Sequence, residues 1–490
     1  MPSTPSGAAP ADGQRQLPDA APLCVDLDGT LTTSDTLAEL ILNLLRQNPL
    51  FVLLMPWWCC RGRVYLKRQL VRRARVRPEL LPYQQELLGF IGTERAAGRQ
   101  VVMVSAAPAA VAREVAQHLG CFDEVIATED SVNVAGVNKR SILESRFGMR
   151  GFDYVGNGGV DLVCLAAARN AFVASPSWRL RRALRNAPFA VTRTFDCRPP
   201  AVITLLRAMR PMQWVKNALV FAPIVLAHEM GQWGRVAPAL ALFAAFNLAA
   251  SCGYLVNDLL DLEADRQHRY KRMRPFAAGE ISPWVGVGAA PVLLLIALGI
   301  GLAVSQATAL CVAGYVAGAF AYSLYAKRLV VLDALVLAGL YSFRIFSGGI
   351  ASGIPISQWL TAFSMFFFLS LAFLKRYSEL RRVSGPAAVI ANRGYAPEDL
   401  EQVRLFGIAA GYLSALVLAL YVRSSDVVAL YRQPQWLWLI SLILVYWISR
   451  AWLLAGRGAI HEDPLLFAFE DRASYVCGIV TVAVLLLASH

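Results

Sequence analysis

Asn257, Asp258, Asp261 and Asp265 are spaced so that a helix of about 3.6 residues per turn would carry all four on one face. Three carboxylates on one face repel each other, which is unfavourable unless a cation lies between them. An oxygen-rich set of this kind suits Mg2+, which keeps waters and shares its shell with phosphate oxygens. Lys271, Arg272 and Arg274 follow closely and carry the charge needed to hold the outer oxygens of a diphosphate. A largely apolar stretch of about twenty residues precedes the cluster, so the spacing predicts a metal–diphosphate site at the mouth of a membrane span. The plainer reading is a charged loop whose acids and bases neutralise each other.

A second set lies near the start of the chain. Asp26 and Asp28 close the apolar run Leu23-Cys24-Val25 and lead into Gly29-Thr30. Ser105 closes Val101-Val102-Met103-Val104, and Asn157 and Asp161 follow Phe152-Asp153-Tyr154-Val155. Helical stretches lie between these runs. Strands alternating with helices imply a parallel sheet, whose ligands bind at the carboxyl ends of the strands. The three polar groups are expected to converge there.

The elements that must position these residues fall into two kinds. With 490 residues, 56% hydrophobic and a mean hydropathy of +0.47, the chain is too apolar for a soluble protein and calls for membrane spans. A formal charge of +13 then points to an anionic leaflet or anionic substrates. No aromatic-plus-basic nucleic-acid motif is visible, so nucleic acid is not an expected partner. The nine cysteines include no C-x-x-C pair, and most sit in apolar runs as small core residues. Residues 1–21 read as a disordered lead, 22–185 as an α/β domain, 186–210 as a linker and 211–490 as an all-α membrane domain.

The membrane half holds nine apolar segments: 215–229, 236–256, 284–304, 307–325, 329–351, 358–374, 405–422, 436–455 and 473–489. Alternating them from a cytoplasmic start puts 15 Lys and Arg in the loops on that side, against 3 in the opposite loops. That asymmetry fits the positive-inside rule and places the acidic cluster and the soluble domain on the cytoplasmic side of the cell membrane. Lys216, Tyr322, Lys327, Lys375 and Glu379 lie at the same ends of their segments. For any one of them alone, a snorkelling interface residue is the better reading. Arg344 and Asp333 sit deeper, where charge is expensive and tends to mark a pathway or a site.

Ile41 to Trp58 is apolar but broken by Arg46, Pro49 and Pro56, and a basic stretch follows it. Two readings stand: an interfacial anchor on an anionic leaflet, or a helical cap over the soluble site.

The D-x-D-G-T string at Asp26 resembles the haloacid dehalogenase superfamily of phosphohydrolases, especially its phosphoserine-phosphatase-like branch. Ser105 matches the second motif, Lys139 the third and Asp161 the second acid of the fourth. The resemblance implies a Rossmann-like α/β fold in which Asp26 attacks a phosphoryl group and Asp28 serves as acid and then base. It also implies that Ser105 and Lys139 bind the phosphate, with Mg2+ held by Asp26, Asp28, Asn157 and Asp161. Asn157 departs from the pattern, which has an acid there. Its amide oxygen can coordinate Mg2+ with weaker attraction, and a domain kept for structure or regulation is the other reading.

The N-D-x-x-D-x-x-x-D string at Asn257 resembles the UbiA prenyltransferase superfamily, whose fold is nine transmembrane helices around a lateral cavity. Arg210-Pro211-x-Gln213-Trp214-Val215-Lys216-Asn217 and Lys375-Arg376-Tyr377-x-Glu379-Leu380 narrow the likeness to the decaprenyl-phosphate phosphoribosyltransferases. That branch implies Mg2+ on Asp258, Asp261 and Asp265 gripping phosphoribosyl diphosphate, with Asn257 supporting the shell. Lys271, Arg272 and Arg274 would stabilise the leaving diphosphate. A polyprenyl phosphate would be positioned by Lys216, Lys327, Arg344 or Lys375, with Tyr322 and Glu379 completing the substrate-binding set. The alternative is transfer of a prenyl diphosphate to an aromatic acceptor. Such enzymes carry a second D-x-x-x-D cluster, which is not found in this sequence. A homo-oligomer is left open.

Overall fold

Leu23-Cys24-Val25 is buried throughout, as only a strand covered on both faces can be. A computed structural model describes residues 21–129, 133–195, 198–382, 394–423, 427, 431–460 and 464–489. Of the expected disordered lead, all but Ala21 lies outside the described residues. The chain divides into two units, Met1–Ala208 with Asp258–Gly288, and Met209–Asn257 with Ala289–His490.

In the first unit six strands form one sheet in the order β3-β2-β1-β4-β5-β6. They are β1 (Leu23–Val25), β2 (Val101–Pro108), β3 (Glu124–Thr128), β4 (Asp153–Gly156), β5 (Ala171–Ala174) and β6 (Val191–Phe195), and every pairing is parallel. Alternate side chains point to opposite faces. Leu23, Val25, Val101 and Met103 therefore enter one core, with α1 (Thr36–Gln47), α2 (Met55–Cys60), α3 (Arg63–Val71), α4 (Gln85–Ala96) and α5 (Ala109–Leu119). Cys24, Val102, Val104 and Tyr154 enter the other, with α6 (Val137–Phe147), α7 (Leu162–Ala167) and α8 (Trp178–Leu184). Strands β2, β1 and β4 are neighbours, so the polar groups following each of them are brought to one sheet edge. Helix α9 (Ala201–Ala208) ends the first stretch of this unit.

The second unit is helical. A 3-10 run, Pro211–Phe221, leads into α10 (Ala222–Leu226) and then α11 (Trp233–Leu260). After α11 comes the short α12 (Leu262–Gln267), which belongs to the first unit. The bundle continues with α13 (Pro283–Val304), α14 (Gln306–Leu324), α15 (Leu332–Ser352), α16 (Gln358–Arg382), α17 (Leu400–Tyr421), α18 (Trp438–Gly456), α19 (Pro464–Glu470) and α20 (Arg472–Ser489). Eight helices among the described residues are long and apolar enough to cross a bilayer, which makes this a multi-pass membrane protein.

The expected segment at 215–229 is not one of them. It is split between the 3-10 run and a five-residue helix, both too short to span. Pro211 and Pro223 each lack the N–H that a continuous helical ladder needs. Its apolar side chains are instead spent on packing: Val220 and Ile224 are fully buried. Gly348 of α15 permits that packing, because a Cβ there would meet the Val220 carbonyl oxygen at 2.0 Å. Gly348→Ala should accordingly cost about 1–3 kcal/mol through overpacking. Gly339, on the same helix with nothing near its missing Cβ, should accept alanine without loss. Thermal unfolding of the two detergent-purified variants checks the contrast.

Candidate functional sites

At the carboxyl edge of the sheet, Lys139 of α6 donates to Asp26 Oδ1 at 2.7 Å and lies 3.5 Å from Asp161 Oδ1. Tyr154 joins the pair, accepting from Lys139 at 2.9 Å and donating to Asp161 at 2.9 Å. Asp161 Oδ2 accepts from the Asn157 and Gly158 N–H groups at 3.3 and 2.9 Å. Thr30 donates to Asp26 Oδ2 at 3.3 Å, and Asp28 Oδ1 accepts from the Thr36 N–H at 2.7 Å. Gly29 has φ +75°, and a Cβ on it would meet Asn157 Nδ2 at 2.1 Å, so the turn after β1 and the loop after β4 touch only because glycine stands there. Ser105 is fully buried beside them, accepting from the Ala107 N–H at 3.0 Å. The structure thus brings Asp26, Lys139, Asn157 and Asp161 into one network, with Asp28 and Ser105 at the same carboxyl ends of the strands.

Burial raises the Asp26 carboxyl to about 6, against the lowering effect of Lys139. Burial, reinforced by Asp35 and Asp26, raises Asp28 to about 8. Burial alone would lower Lys139, but Asp26 and Asp161 outweigh it and hold the ammonium above its usual range. The edge therefore presents a charged lysine between two carboxylates and one carboxyl that is protonated at neutral pH. Two participants were not anticipated. Tyr154 carries only a strand signal in the sequence, although its alternation with Val155 turns it toward α6. Lys67 of α3 donates to the Ala106 carbonyl at 2.6 Å and to Asn133 Oδ1 at 3.1 Å; burial lowers its pKa while Asp28 and Asp35 raise it. The helical insertion between β1 and β2 is thus a cap whose α3 reaches toward the site.

The acidic cluster is arranged differently from expectation. The helix stops at Leu260, Asp261 takes the turn before α12, and its carbonyl accepts from the Asp265 N–H at 2.8 Å. The three aspartates therefore do not share one continuous helical face. Like charges at helical spacing weaken a helix, and the turn brings Asp258 and Asp265 instead onto one cation. Arg274 Nη1 lies 3.1 Å from Asp258 and 2.6 Å from Asp265, both buried. Burial raises the Asp265 carboxyl despite Arg274. Lys271 and Arg272 are exposed. The loop is fastened within its unit by Arg266, which pairs with buried Glu39 of α1 at 2.7 Å, and by Asn43, which donates to Glu263 at 2.8 Å.

Among the described residues no group of three or more acids, histidines or cysteines is gathered closely enough to hold a metal unaided. The donors nonetheless fit Mg2+ in kind. Both sets are oxygen donors, both include carboxyls whose burial and mutual repulsion a cation would relieve, and Mg2+ normally completes its shell with water and phosphate oxygens. In the loop the Arg274 guanidinium already supplies a positive charge between Asp258 and Asp265.

Within the second unit a cavity of about 440 Å³ gathers Lys216, Asn257, Tyr322, Arg344, Lys375 and Glu379. Arg210, Gln213 and Arg382 also line it, with Tyr254, Tyr315 and Tyr341. Five of its side chains are cationic and one is acidic. Lys327 does not line it. Arg344 is held in place by Asn217 at 2.8 Å, the Leu340 carbonyl at 2.6 Å and the Tyr315 hydroxyl at 3.0 Å, and Asn217 in turn donates to Asn247 at 2.7 Å. Its charge lies over the rings of Tyr315 and Tyr341, 4.8 and 5.1 Å from their centroids. The tyrosines and Arg210 were missed as site residues because hydropathy gives depth in a span but not the direction a side chain faces.

Asp333 does not line the cavity. It is fully buried in an ion pair with Arg376, which also contacts Glu379 at 2.5 Å and Tyr322 at 2.7 Å, and Tyr395 donates to Asp333 at 2.6 Å. Its intramembrane charge is explained by structure.

A parallel-sheet phosphohydrolase-type edge and a membrane bundle with a cationic cavity define a two-part membrane enzyme. The chain matches the UbiA prenyltransferase family over residues 218–470 and the haloacid dehalogenase-like hydrolases over 60–171. It belongs to the UbiA prenyltransferase family and carries an N-terminal haloacid dehalogenase-like domain. It is 35% identical to the uncharacterized protein y4nM of Sinorhizobium fredii over 95% of this chain and 91% of that one. It is 38% identical to the decaprenyl-phosphate phosphoribosyltransferase of Mycolicibacterium smegmatis, over 38% of this chain and 60% of that one. A UbiA homolog from Archaeoglobus fulgidus, solved bound to GPP and Mg2+, is 15% identical with a TM-score of 0.43, covering 57% of this chain and 96% of that one. Members of both families generally depend on Mg2+.

Removing Arg376 leaves Asp333 buried without its cation, which typically costs about 3–5 kcal/mol. Arg376→Gln should lower the unfolding midpoint sharply, and adding Asp333→Asn should recover part of the loss. A double-mutant cycle in detergent measures the coupling.

Proposed function

We propose that the membrane domain is a Mg2+-dependent transferase that moves 5-phosphoribose from phosphoribosyl diphosphate to a polyprenyl phosphate. The fused domain then hydrolyses the 5-phosphate from that product. The observation that carries the first half is the cavity, with five cationic side chains in an apolar bundle. Such a lining suits an acceptor whose reactive group is a phosphate anion. The likeness to decaprenyl-phosphate phosphoribosyltransferases supports the same choice.

In this reading Lys216, Arg344 and Lys375 orient the lipid phosphate, with Tyr322 beside it. One phosphate oxygen attacks the anomeric carbon of the ribose as the bond to diphosphate breaks, and the diphosphate leaves with the electron pair. The attacking oxygen is already anionic, so no general base is required. Asp258, Asp261 and Asp265, with Asn257, would hold the metal, which when bound neutralises diphosphate charge. Arg274 would turn from the aspartates to the leaving group, joined by the exposed Lys271 and Arg272. Lys327, outside the cavity lining, is left without a role.

In the soluble domain Asp26 attacks the 5-phosphate and forms an aspartyl phosphate. Asp28, protonated at neutral pH, donates to the departing ribose oxygen. Asp28 then takes a proton from the water that releases phosphate from Asp26. Ser105 and Lys139 hold the transferred group, while Asp26, Asp161 and Asn157, with the unprotonated oxygen of Asp28, would hold the metal, which when bound neutralises phosphate charge. Both sites would face the cytoplasm, consistent with the positive-inside asymmetry of the loops.

Purified protein given phosphoribosyl diphosphate and polyprenyl phosphate should release diphosphate, then inorganic phosphate, and yield a ribosylated lipid. Asp258→Asn should slow the first step by about 10²-fold or more. Asp26→Asn should leave the first step intact and yield product retaining its 5-phosphate. Product masses decide the matter: a prenylated product from a prenyl diphosphate and an aromatic acid, with none from phosphoribosyl diphosphate, would overturn the assignment.

A further inference from the structure

The cap between β1 and β2 carries an outer surface that the proposed chemistry does not use. From Pro49 the chain forms a 3-10 run to Leu53 and then α2. Phe51 and Trp58 turn inward, their rings 6.0 Å apart, with Trp58 buried in the core. Leu50, Val52, Leu53, Leu54 and Trp57 turn outward, with 68, 53, 73, 44 and 51% of their surfaces exposed. Five large apolar side chains within eight residues form a protruding knuckle, which is unfavourable in water.

The charge around it is one-sided. Between Leu40 and Pro78 there is no Asp or Glu, while there are eight Arg and one Lys. Arg46, Arg61, Arg63, Arg68 and Arg72 are all exposed, and the Arg61 guanidinium lies 4.1 Å from the Trp57 ring centroid. An apolar tip with an indole, beside exposed arginines of which Arg46 also lies 3.9 Å from Glu263, matches the two layers of an anionic bilayer surface. The tip enters the acyl boundary and the arginines remain among the headgroup phosphates. A water-filled surrounding satisfies only the charges, and a second copy of this chain would bring like charges together.

We infer that the knuckle at 49–61 is a membrane-insertion element that docks the phosphohydrolase-like domain onto an anionic lipid surface. It is a surface contact added to the transmembrane bundle. The same insertion continues into α3, whose Lys67 reaches toward the soluble site. The cap reading and the anchor reading of this segment are therefore compatible, since inner and outer faces serve different ends. The inference does not depend on which phosphate ester the site takes.

The full chain tests it, with Cys59→Ser/Cys60→Ser removing the exposed thiols of the knuckle. A nitroxide on Leu53→Cys, in vesicles of phosphatidylcholine with phosphatidylglycerol, should lose about tenfold of its collisions with a water-soluble nickel chelate. The reference is the same label on Met149→Cys, an exposed site at 83% on the same unit. Arg68→Glu/Arg72→Glu should restore the collisions, as should pure phosphatidylcholine vesicles. Equal collisions at positions 53 and 149 in anionic vesicles would overturn the proposal. So would protection of position 53 that is indifferent to lipid charge.

Discussion

Among the described residues Arg376 is the largest fully buried side chain, and its charge is held by Asp333, Glu379 and Tyr322. An apolar bundle tolerates a guanidinium only with such partners, since each unpaired ion there carries a large desolvation penalty. The consequence reaches the cavity, because two of those partners, Tyr322 and Glu379, are among its lining residues. A second network does the same elsewhere in the lining, where Arg344 is tethered by Asn217, Tyr315 and the Leu340 carbonyl. Pairing that keeps charge inside the bundle also fixes which polar groups face the open volume.

The haloacid dehalogenase-like domain follows the same logic at the carboxyl edge of its sheet, where Asp26, Lys139 and Asp161 are buried. Lys139 stands between Asp26 and Asp161, and Tyr154 ties the lysine to the second acid. One cation keeps two carboxylates close, and Asp28, farther from it, is left protonated at neutral pH by burial and its acidic neighbours. In the acidic loop Arg274 stands where Lys139 does in the sheet domain, between Asp258 and Asp265. Two sites of the first unit thus use a basic side chain to gather acids that a divalent ion would otherwise have to collect.

The sequence made some of this legible and hid the rest for physical reasons. Buried strands read as unbroken apolar runs, so β1, β2 and β4, and the convergence of Asp26, Ser105 and Asp161 after them, followed from pattern and from the sheet rule. Eight of the nine apolar segments correspond to long helices. The segment at 215–229 did not, because hydropathy cannot distinguish an apolar stretch that crosses a bilayer from one folded against its neighbours. The turn at Asp261 was hidden because spacing assumes a continuous helix, and Arg274, expected to hold the leaving diphosphate, instead lies on Asp258 and Asp265. Asp333 was recognised as deep but not as paired, since its partner Arg376 lies 43 positions away. Tyr254, Tyr315 and Tyr341 of the cavity carried no signal in hydropathy.

The backbone contact between Gly348 and Val220 bears on the thermodynamics of ligand capture. The run at 211–221 carries Lys216 and Asn217, and α15 carries Arg344, so the glycine lets two walls of the cavity pack closely against each other. An anion entering between them would find its cationic partners already aligned and would freeze few torsions on arrival. The entropy of ordering those walls is spent when the protein folds, and each encounter with substrate then begins from a prepared site.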